Sequence, residues 1–149
     1  MISVIALVSC GCTRNAAKEE ASVNIEWHEA TYGLEEYKEM QPGRPILALF
    51  VSDWDLTGQI HRKVFEDETS MEILKGSRFL CIWYDCTEPD SLGMRELKRL
   101  KQLALPVTVF VDGSSAEDRF IDTPVNNEKI YDLLRNLRIV AEQVAASDR

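Results

Sequence analysis

The amino-acid sequence predicts one α/β domain in which a mixed central sheet is flanked by helices. Three apolar runs have the length and composition of strands, and segments with helical spacing separate them. An Asp-Gly pair follows the third run, which is typical of a tight turn between antiparallel strands. The predicted element order is βαβαβαββα. Strands that alternate with helices indicate parallel central strands, and the turn indicates an antiparallel pair at the end of the sheet.

The first half of the chain supplies two strands and two helices of this order. "VNIEWHEA" alternates in the manner of an edge strand, and "YGLEEYKEM" is a short helix that Pro42-Gly43 ends. "PILALFVS" is apolar throughout, which is typical of a central strand covered on both faces. Residues 57–75 form a helix that we expect to be bent or interrupted near "EDETS". The residues of this helix that are predicted to face inward are Ile60, Val64, Ile73 and Leu74.

The second half of the chain supplies the remaining elements. "RFLCIWYDC" is a second central strand, and "SLGMRELKRLKQL" has the apolar stripe of a helix. "VTVFVD" is a third strand. A hairpin-type turn at Asp112-Gly113 connects it to the next segment, "EDRFIDT". A final helix is predicted from about Asn127. The predicted apolar stripes are Met94, Leu97, Leu100 and Leu103 in the earlier helix, and Ile130, Leu133, Leu134, Leu137, Ala141 and Val144 in the final one.

The charge of the chain argues against nucleic acid as a partner. The formal net charge is −8 and the pI is near 4.8, whereas a phosphate backbone is bound through clustered Lys and Arg. "LKRLKQL" is basic but interleaved with leucines, which favours a solvated helix face. His28 and His61 are isolated in the sequence, and we expect neither to be catalytic. No apolar stretch approaches the roughly 20 residues that a membrane-spanning helix needs.

The N-terminal segment resembles the lipobox of bacterial lipoproteins. "MISVIALVSC" passes from an apolar run to Cys10, which would become the lipid-modified first residue after cleavage. Gly11 follows Cys10, and by this resemblance favours the outer membrane of a diderm cell over the inner one. The segment departs from the pattern in having no Lys or Arg before Cys10, which a start site placed too far downstream would explain. The alternative is an apolar N-terminus on a cytosolic protein.

These observations divide the chain into four parts. The polar stretch after Cys10 has the composition of a tether. The predicted parts are a lipoprotein-type signal peptide at 1–9, a tether at 10–23, a folded domain at 24–142 and a C-terminal tail at 143–149.

The cysteines form no CxxC pair and no Cys/His set with zinc spacing. Cys12 lies in the tether beside Cys10, with no evident partner. Cys81 and Cys86 fall in one predicted strand, where five steps separate them by roughly 16 Å. A disulfide needs Cα atoms within about 7 Å, so we interpret both as small buried apolar residues.

Five motifs, in order, resemble the C-terminal periplasmic thioredoxin-like domain of the thiol:disulfide interchange protein family and its lipoprotein relatives. The resemblance covers residues 25 to about 138 and implies the thioredoxin fold. It also implies a cis proline at Pro106, whose neighbouring backbone pairs with an extended substrate. The matching segments are Arg44-Pro45 before the central strand, "SDWDLTGQ" at the A-D-W-C-x-x-C-K position, "KVFED", "YDCTEPD" and "ALPVT".

The chain departs from that family at the two residues that carry its chemistry. Asp55 and Gly58 stand at the positions of the two cysteines, and Trp54 is retained before them. In the family, the first cysteine attacks a substrate disulfide as a thiolate and the second resolves the mixed disulfide. Neither a carboxylate nor a glycine can perform these steps. Asp55 has a structural explanation as an N-cap, which Thr57 could also provide.

A metal site is an alternative interpretation of the acidic residues at this edge of the sheet. Carboxylates are the ligands of hard cations, but their spacing here resembles no known calcium loop. We therefore expect neither a metal nor a cofactor. The acidic residues in question are Asp53, Asp55, Asp85, Glu88 and Asp90.

Two classes of function remain open on the sequence. The first is a redox-inactive, lipid-anchored module on the periplasmic face of the cell envelope, binding a protein or peptide partner through a groove at Trp54 and Leu105-Pro106-Val107. The second is an oxidoreductase that works through a relocated thiol at Cys86. Exposure of Cys86 near Asp55 and Pro106 would favour the second class, and its burial would disfavour it. Trp54 and Pro106 also have a purely structural interpretation, as core and turn residues inherited with the fold.

Overall fold

The computed structural model describes residues 25–114, 119–122, 124 and 126–147. Helices and strands alternate through most of this part of the chain. The strands are β1 (Trp27–Glu29), β2 (Ile46–Val51), β3 (Leu80–Asp85), β4 (Val107–Val111) and β5 (Arg119–Asp122). The helices are α1 (Leu34–Met40), α2 (Leu56–Phe65), α3 (Glu68–Leu74), α4 (Leu92–Arg99) and α5 (Asn127–Ser147).

Within the described residues the strands form one mixed sheet in the order β1-β3-β2-β4-β5. β3 is parallel to both of its neighbours, and β4 and β5 form the predicted antiparallel pair. β4 differs from the predicted parallel arrangement because it runs antiparallel to β2. Its first residue, Val107, pairs with Phe50 near the carboxyl end of β2, so the loop after α4 returns the chain to that edge before β4 begins. The start of β4 therefore lies beside the turn that follows β2.

Helices cover both faces of the sheet, which confirms the prediction made for β2 from its unbroken apolar run. Every residue of β2 is buried, and alternate residues belong to two separate cores. Leu47, Leu49 and Val51 pack against α2, α3 and α5, whereas Ile46, Ala48 and Phe50 pack against α1 and α4. The helix residues buried in the first core are Val64, Phe65, Leu74, Ile130, Leu133, Leu134 and Leu137, and those in the second are Leu34, Tyr37 and Leu97, together with Leu100 at the end of α4.

The segment 57–75 is interrupted where the sequence predicts, giving α2 and α3. Asp67 lies at the break and caps α3, because its side chain accepts a hydrogen bond from the Ser70 amide at 2.8 Å. The prediction that Ile60 faces inward is wrong, since this side chain is 48% exposed. The buried positions of α2 include Gly58 and His61, and they turn Ile60 toward solvent.

The predicted apolar stripe of α4 is also wrong at its end. Leu97 and Leu100 are buried, but Leu103 is 98% exposed. The helix ends at Arg99, and Lys101 has a φ of 57°, a left-handed conformation that cannot continue a right-handed helix. α5 begins at Asn127 as predicted and extends to Ser147, past the predicted limit of the domain at residue 142. Among the described helices, none has the length and apolarity to cross a membrane.

Candidate functional site

Three segments meet at the carboxyl end of β2. The Cys86 amide donates to the Val51 carbonyl oxygen at 2.7 Å, which places the loop after β3 beside the end of β2. The Asp53 amide donates to Thr87 Oγ1 at 3.0 Å and joins the same loop to the turn before α2. The pairing of Val107 with Phe50 places the start of β4 on the other side. The residues that the sequence singles out on these segments are therefore brought to one edge of the sheet.

Asp55 begins α2 as its N-cap. Its Oδ1 accepts a hydrogen bond from the Thr57 amide at 3.1 Å, and its backbone is extended, with φ −96° and ψ 98°. Thr57 therefore receives the cap interaction instead of providing it. Asp55 Oδ2 is buried and has no hydrogen-bond partner among the described residues. One carboxylate oxygen thus stabilises the helix terminus, while the other remains unpaired below the surface.

Gly58 leaves the space into which the Asp55 carboxylate folds. A Cβ atom at position 58 would lie 2.9 Å from Asp55 Oδ2 and 3.4 Å from both Asp55 Cγ and Val51 Cγ1. A residue larger than glycine at position 58 would therefore press against the Asp55 carboxylate in its present position. The Asp55 carboxylate thus occupies space that a side chain at residue 58 would need.

His61 is a buried residue of this region whose position the sequence reasoning missed. Its side chain is 3% exposed, and its Nδ1 has no hydrogen-bond partner in the described part of the chain. Burial lowers the pKa of the imidazole from its ordinary value, and the nearby Asp55 charge opposes this only in part. The sequence signal was available, because His61 follows Gly58 by one helical turn and so lies on the same inward face.

Trp54 is exposed, which argues against its interpretation as a core residue. The indole is 68% exposed, and its Nε1 donates to the Thr87 carbonyl oxygen at 3.3 Å. Leu56 and Ile60 lie one turn apart on α2 and are 74% and 48% exposed. We call Trp54, Leu56 and Ile60 the Trp54 patch. Large apolar side chains that stay exposed within one short segment are typical of interaction surfaces.

The Leu105–Pro106 peptide bond is cis. Pro106 is buried and Leu105 is half-buried, and Val107 begins β4. Because Val107 pairs with Phe50, the proline lies next to the end of β2 and the turn that carries Trp54 and Asp55. The structure therefore brings together Trp54, Asp55, Gly58 and the Leu105-Pro106-Val107 segment.

Cys81 and Cys86 are both buried, at 1% exposure each, as predicted. They belong to the cores on opposite faces of the sheet, so they cannot pair with each other. Burial raises the pKa of each thiol to about 12. Cys86 lies under α4, where a Cβ atom at Gly93 would be 2.8 Å from its Sγ. The thiol is therefore inaccessible to a protein substrate, which disfavours the relocated-thiol interpretation.

Among the described residues, no three His, Cys, Asp or Glu side chains are placed to hold a metal ion. Asp85 instead accepts a hydrogen bond from the Thr87 amide at 2.8 Å, which stabilises the turn after β3.

Comparison with known proteins identifies the fold. The chain matches no protein-family model and no curated protein sequence. A thioredoxin from Thermus thermophilus is 18% identical, with a TM-score of 0.55, over 85% of this chain and 94% of that protein. Chloroplastic thioredoxin z is 14% identical, with a TM-score of 0.55, over 77% of this chain and 96% of that one. A Schistosoma mansoni thioredoxin is 15% identical, with a TM-score of 0.54, over 76% and 99%. The chain has the thioredoxin fold.

Proposed function

We propose that this protein is a redox-inactive thioredoxin-like module of the cell envelope that binds a protein or peptide partner. The observation that carries the proposal is that the Asp55 carboxylate at the start of α2 lies 2.9 Å from where a Cβ of residue 58 would stand. The carboxylate caps the helix, and the glycine accommodates it, so the site is stable without thiols. Its nearest family is proposed to be the thioredoxin-like domains of the thiol:disulfide interchange proteins, with the CxxC pair lost.

The chemistry of these two residues supports binding rather than catalysis. Disulfide exchange requires a thiolate that attacks sulfur and a second thiol that releases the product. A carboxylate forms no stable bond of this kind with a protein thiol, and glycine has no nucleophile. The Cys86 thiol is buried with a pKa of about 12, so it supplies almost no thiolate at neutral pH. An oxidoreductase working through Cys86 is therefore the weaker candidate.

The surface that remains is suited to docking. The Trp54 patch provides exposed apolar area beside the Leu105-Pro106-Val107 segment. A partner that covers Trp54 and Leu56 would remove from water side chains that are otherwise 68% and 74% exposed. An extended segment of that partner could also pair with backbone next to Pro106.

The partner can be sought in native membranes. When a tagged chain is purified from native membranes, the partner should co-purify with the wild type. It should be lost from the Trp54→Ala variant and from the Leu56→Ser variant. Ile139→Ser is the matched control, because Ile139 on α5 is 52% exposed and lies outside the patch. Loss of the same partner from the control, or its retention by both patch variants, would contradict docking at Trp54.

The lipid anchor is a separate part of the proposal. Cys10 would carry the lipid, and residues 10–23 would hold the domain away from the bilayer, with Gly11 favouring the outer membrane. Cys10→Ser should move the protein from the membrane fraction to the soluble fraction, whereas Cys12→Ser should leave it in place. Unchanged fractionation of the Cys10 variant would end this part of the proposal without affecting the docking surface.

A further inference from the structure

Exposed carboxylates flank the Trp54 patch. Asp53 precedes Trp54 directly, and Glu88 and Asp90 are exposed on the loop after β3. Thr87 joins the two segments, because its Oγ1 accepts from the Asp53 amide at 3.0 Å and its carbonyl oxygen accepts from Trp54 Nε1 at 3.3 Å. We call Asp53, Glu88 and Asp90 the acidic rim. Both segments that meet at Thr87 beside the indole therefore carry exposed negative charge.

Among the described residues, no Lys or Arg of the neighbouring elements pairs with a carboxylate of this rim. Arg95 donates to the backbone carbonyl oxygen of Asp90 at 2.5 Å, not to its side chain. Arg62 lies over the Trp83 ring at 3.7 Å and pairs with Glu66 at 3.2 Å, so its partners lie outside the acidic rim. Lys63 is exposed one turn beyond Ile60 and bounds the far end of the patch. The acidic character is therefore concentrated at the Trp54 end.

We propose that the Trp54 patch takes a protein segment in which apolar residues are flanked by Lys or Arg. The inference rests on the proposed function and adds the charge of the partner to it. The apolar residues would cover Trp54 and Leu56, while the flanking cations would face the acidic rim. Complementary charge of this kind selects among partners and speeds association, and it repels acidic segments and anionic surfaces.

A matched pair of synthetic peptides tests the charge requirement. Both carry a central Leu-Val-Leu; one is flanked by lysines and the other by glutamates. Calorimetric titration of the full chain should show the lysine peptide binding about tenfold more tightly than its twin at low salt, as expected for three exposed ion pairs. The difference should shrink in 1 M salt, where the Debye length falls to about 3 Å.

Two sets of variants separate the charge from the apolar contact. The amide triple variant Asp53→Asn, Glu88→Gln, Asp90→Asn should lose the tenfold preference. The control triple Glu68→Gln, Glu72→Gln, Glu128→Gln, which changes the net charge equally at exposed positions of α3 and α5, should keep it. Trp54→Ala should weaken binding of the lysine peptide severalfold, which no change of net charge explains.

Each remaining outcome contradicts a definite claim. Equal binding of both peptides that Trp54→Ala abolishes would overturn the charge preference and leave the proposed docking function standing. Binding that survives Trp54→Ala and Leu56→Ser would overturn both. Failure of the lysine peptide to bind, or self-association of the chain through the same patch, would overturn the proposed partner chemistry.

Discussion

Placing cysteines at positions 55 and 58 should create a disulfide that opens and closes with the redox potential. In a disulfide, each sulfur lies about 3 Å from the partner's Cβ, given an S–S bond of about 2 Å. Asp55 Cγ, whose place a cysteine sulfur would take, lies 3.4 Å from the position of a Cβ at residue 58. Asp55→Cys with Gly58→Cys therefore needs only a small adjustment to pair, whereas Gly58→Cys alone would press against Asp55 Oδ2, 2.9 Å away.

The double variant should remain folded in both redox states. Loss of the Asp55 cap costs about 0.5–2 kcal/mol, and replacing a helical glycine with cysteine recovers roughly 0.3 kcal/mol. The reduced form should thus be at most about 2 kcal/mol less stable than the wild type. Closing so short a loop contributes about 2 kcal/mol in the chain-entropy description, so the oxidised form should be the more stable one.

Thiol counting in graded glutathione buffers measures the pairing, and urea unfolding measures the two stabilities. Asp55→Ser with Gly58→Ser is the matched control, because it makes the same changes in size without sulfur. It should unfold at the same urea concentration in every buffer. If the cysteine variant is folded but its new thiols stay free under oxidising conditions, the turn between β2 and α2 is not shaped as described.

Three other predictions concern buried groups. Gly93→Ala should destabilise the fold by about 1–3 kcal/mol or more in urea unfolding, because its Cβ would lie 2.3 Å from the Asp85 carbonyl oxygen; an unchanged midpoint would refute that packing. Burial lowers the pKa of His61 below 6.5, so the unfolded chain binds this proton more readily and stability should fall as the pH drops below about 6.5. His61→Leu should flatten that part of the stability–pH curve, and an identical slope would contradict the assignment. With serine at the two N-terminal cysteines, Cys81 and Cys86 should react with a thiol reagent at pH 8 only after unfolding, because burial raises each pKa to about 12; rapid native labelling would contradict their burial.

The fold was predictable because its apolar patterns are strong. The unbroken run of β2 and the stripe of α5 leave few alternative structures, and both elements lie where predicted. Which face of α2 points toward the core was harder to predict, because an apolar pattern selects Ile60 as the buried residue over its polar neighbours. In the structure the inward face of α2 passes through Gly58 and His61, which hydrophobicity alone assigns to the surface.

For the candidate site, the sequence predicts which residues take part but not how their side chains are arranged. The resemblance implies that Asp55 and Gly58 occupy the positions of two cysteines, but it does not imply that the carboxylate fills the space beside the glycine. That arrangement depends on side-chain direction at a helix terminus, which spacing does not specify. Exposure of Trp54 could not be predicted either, since a tryptophan after a buried strand is compatible with both a core and a surface position.

An insulin-reduction assay tests the central claim most directly. With dithiothreitol as the electron donor, the wild-type chain and Cys86→Ser should both reduce insulin no faster than dithiothreitol does without protein. The reason is that Asp55 and Gly58 supply neither thiol and Cys86 is buried. The Asp55→Cys, Gly58→Cys variant serves as the positive control built on the same scaffold. Turnover by the wild type above the rate without protein would contradict a redox-inactive protein, and its loss in Cys86→Ser would assign the chemistry to that thiol.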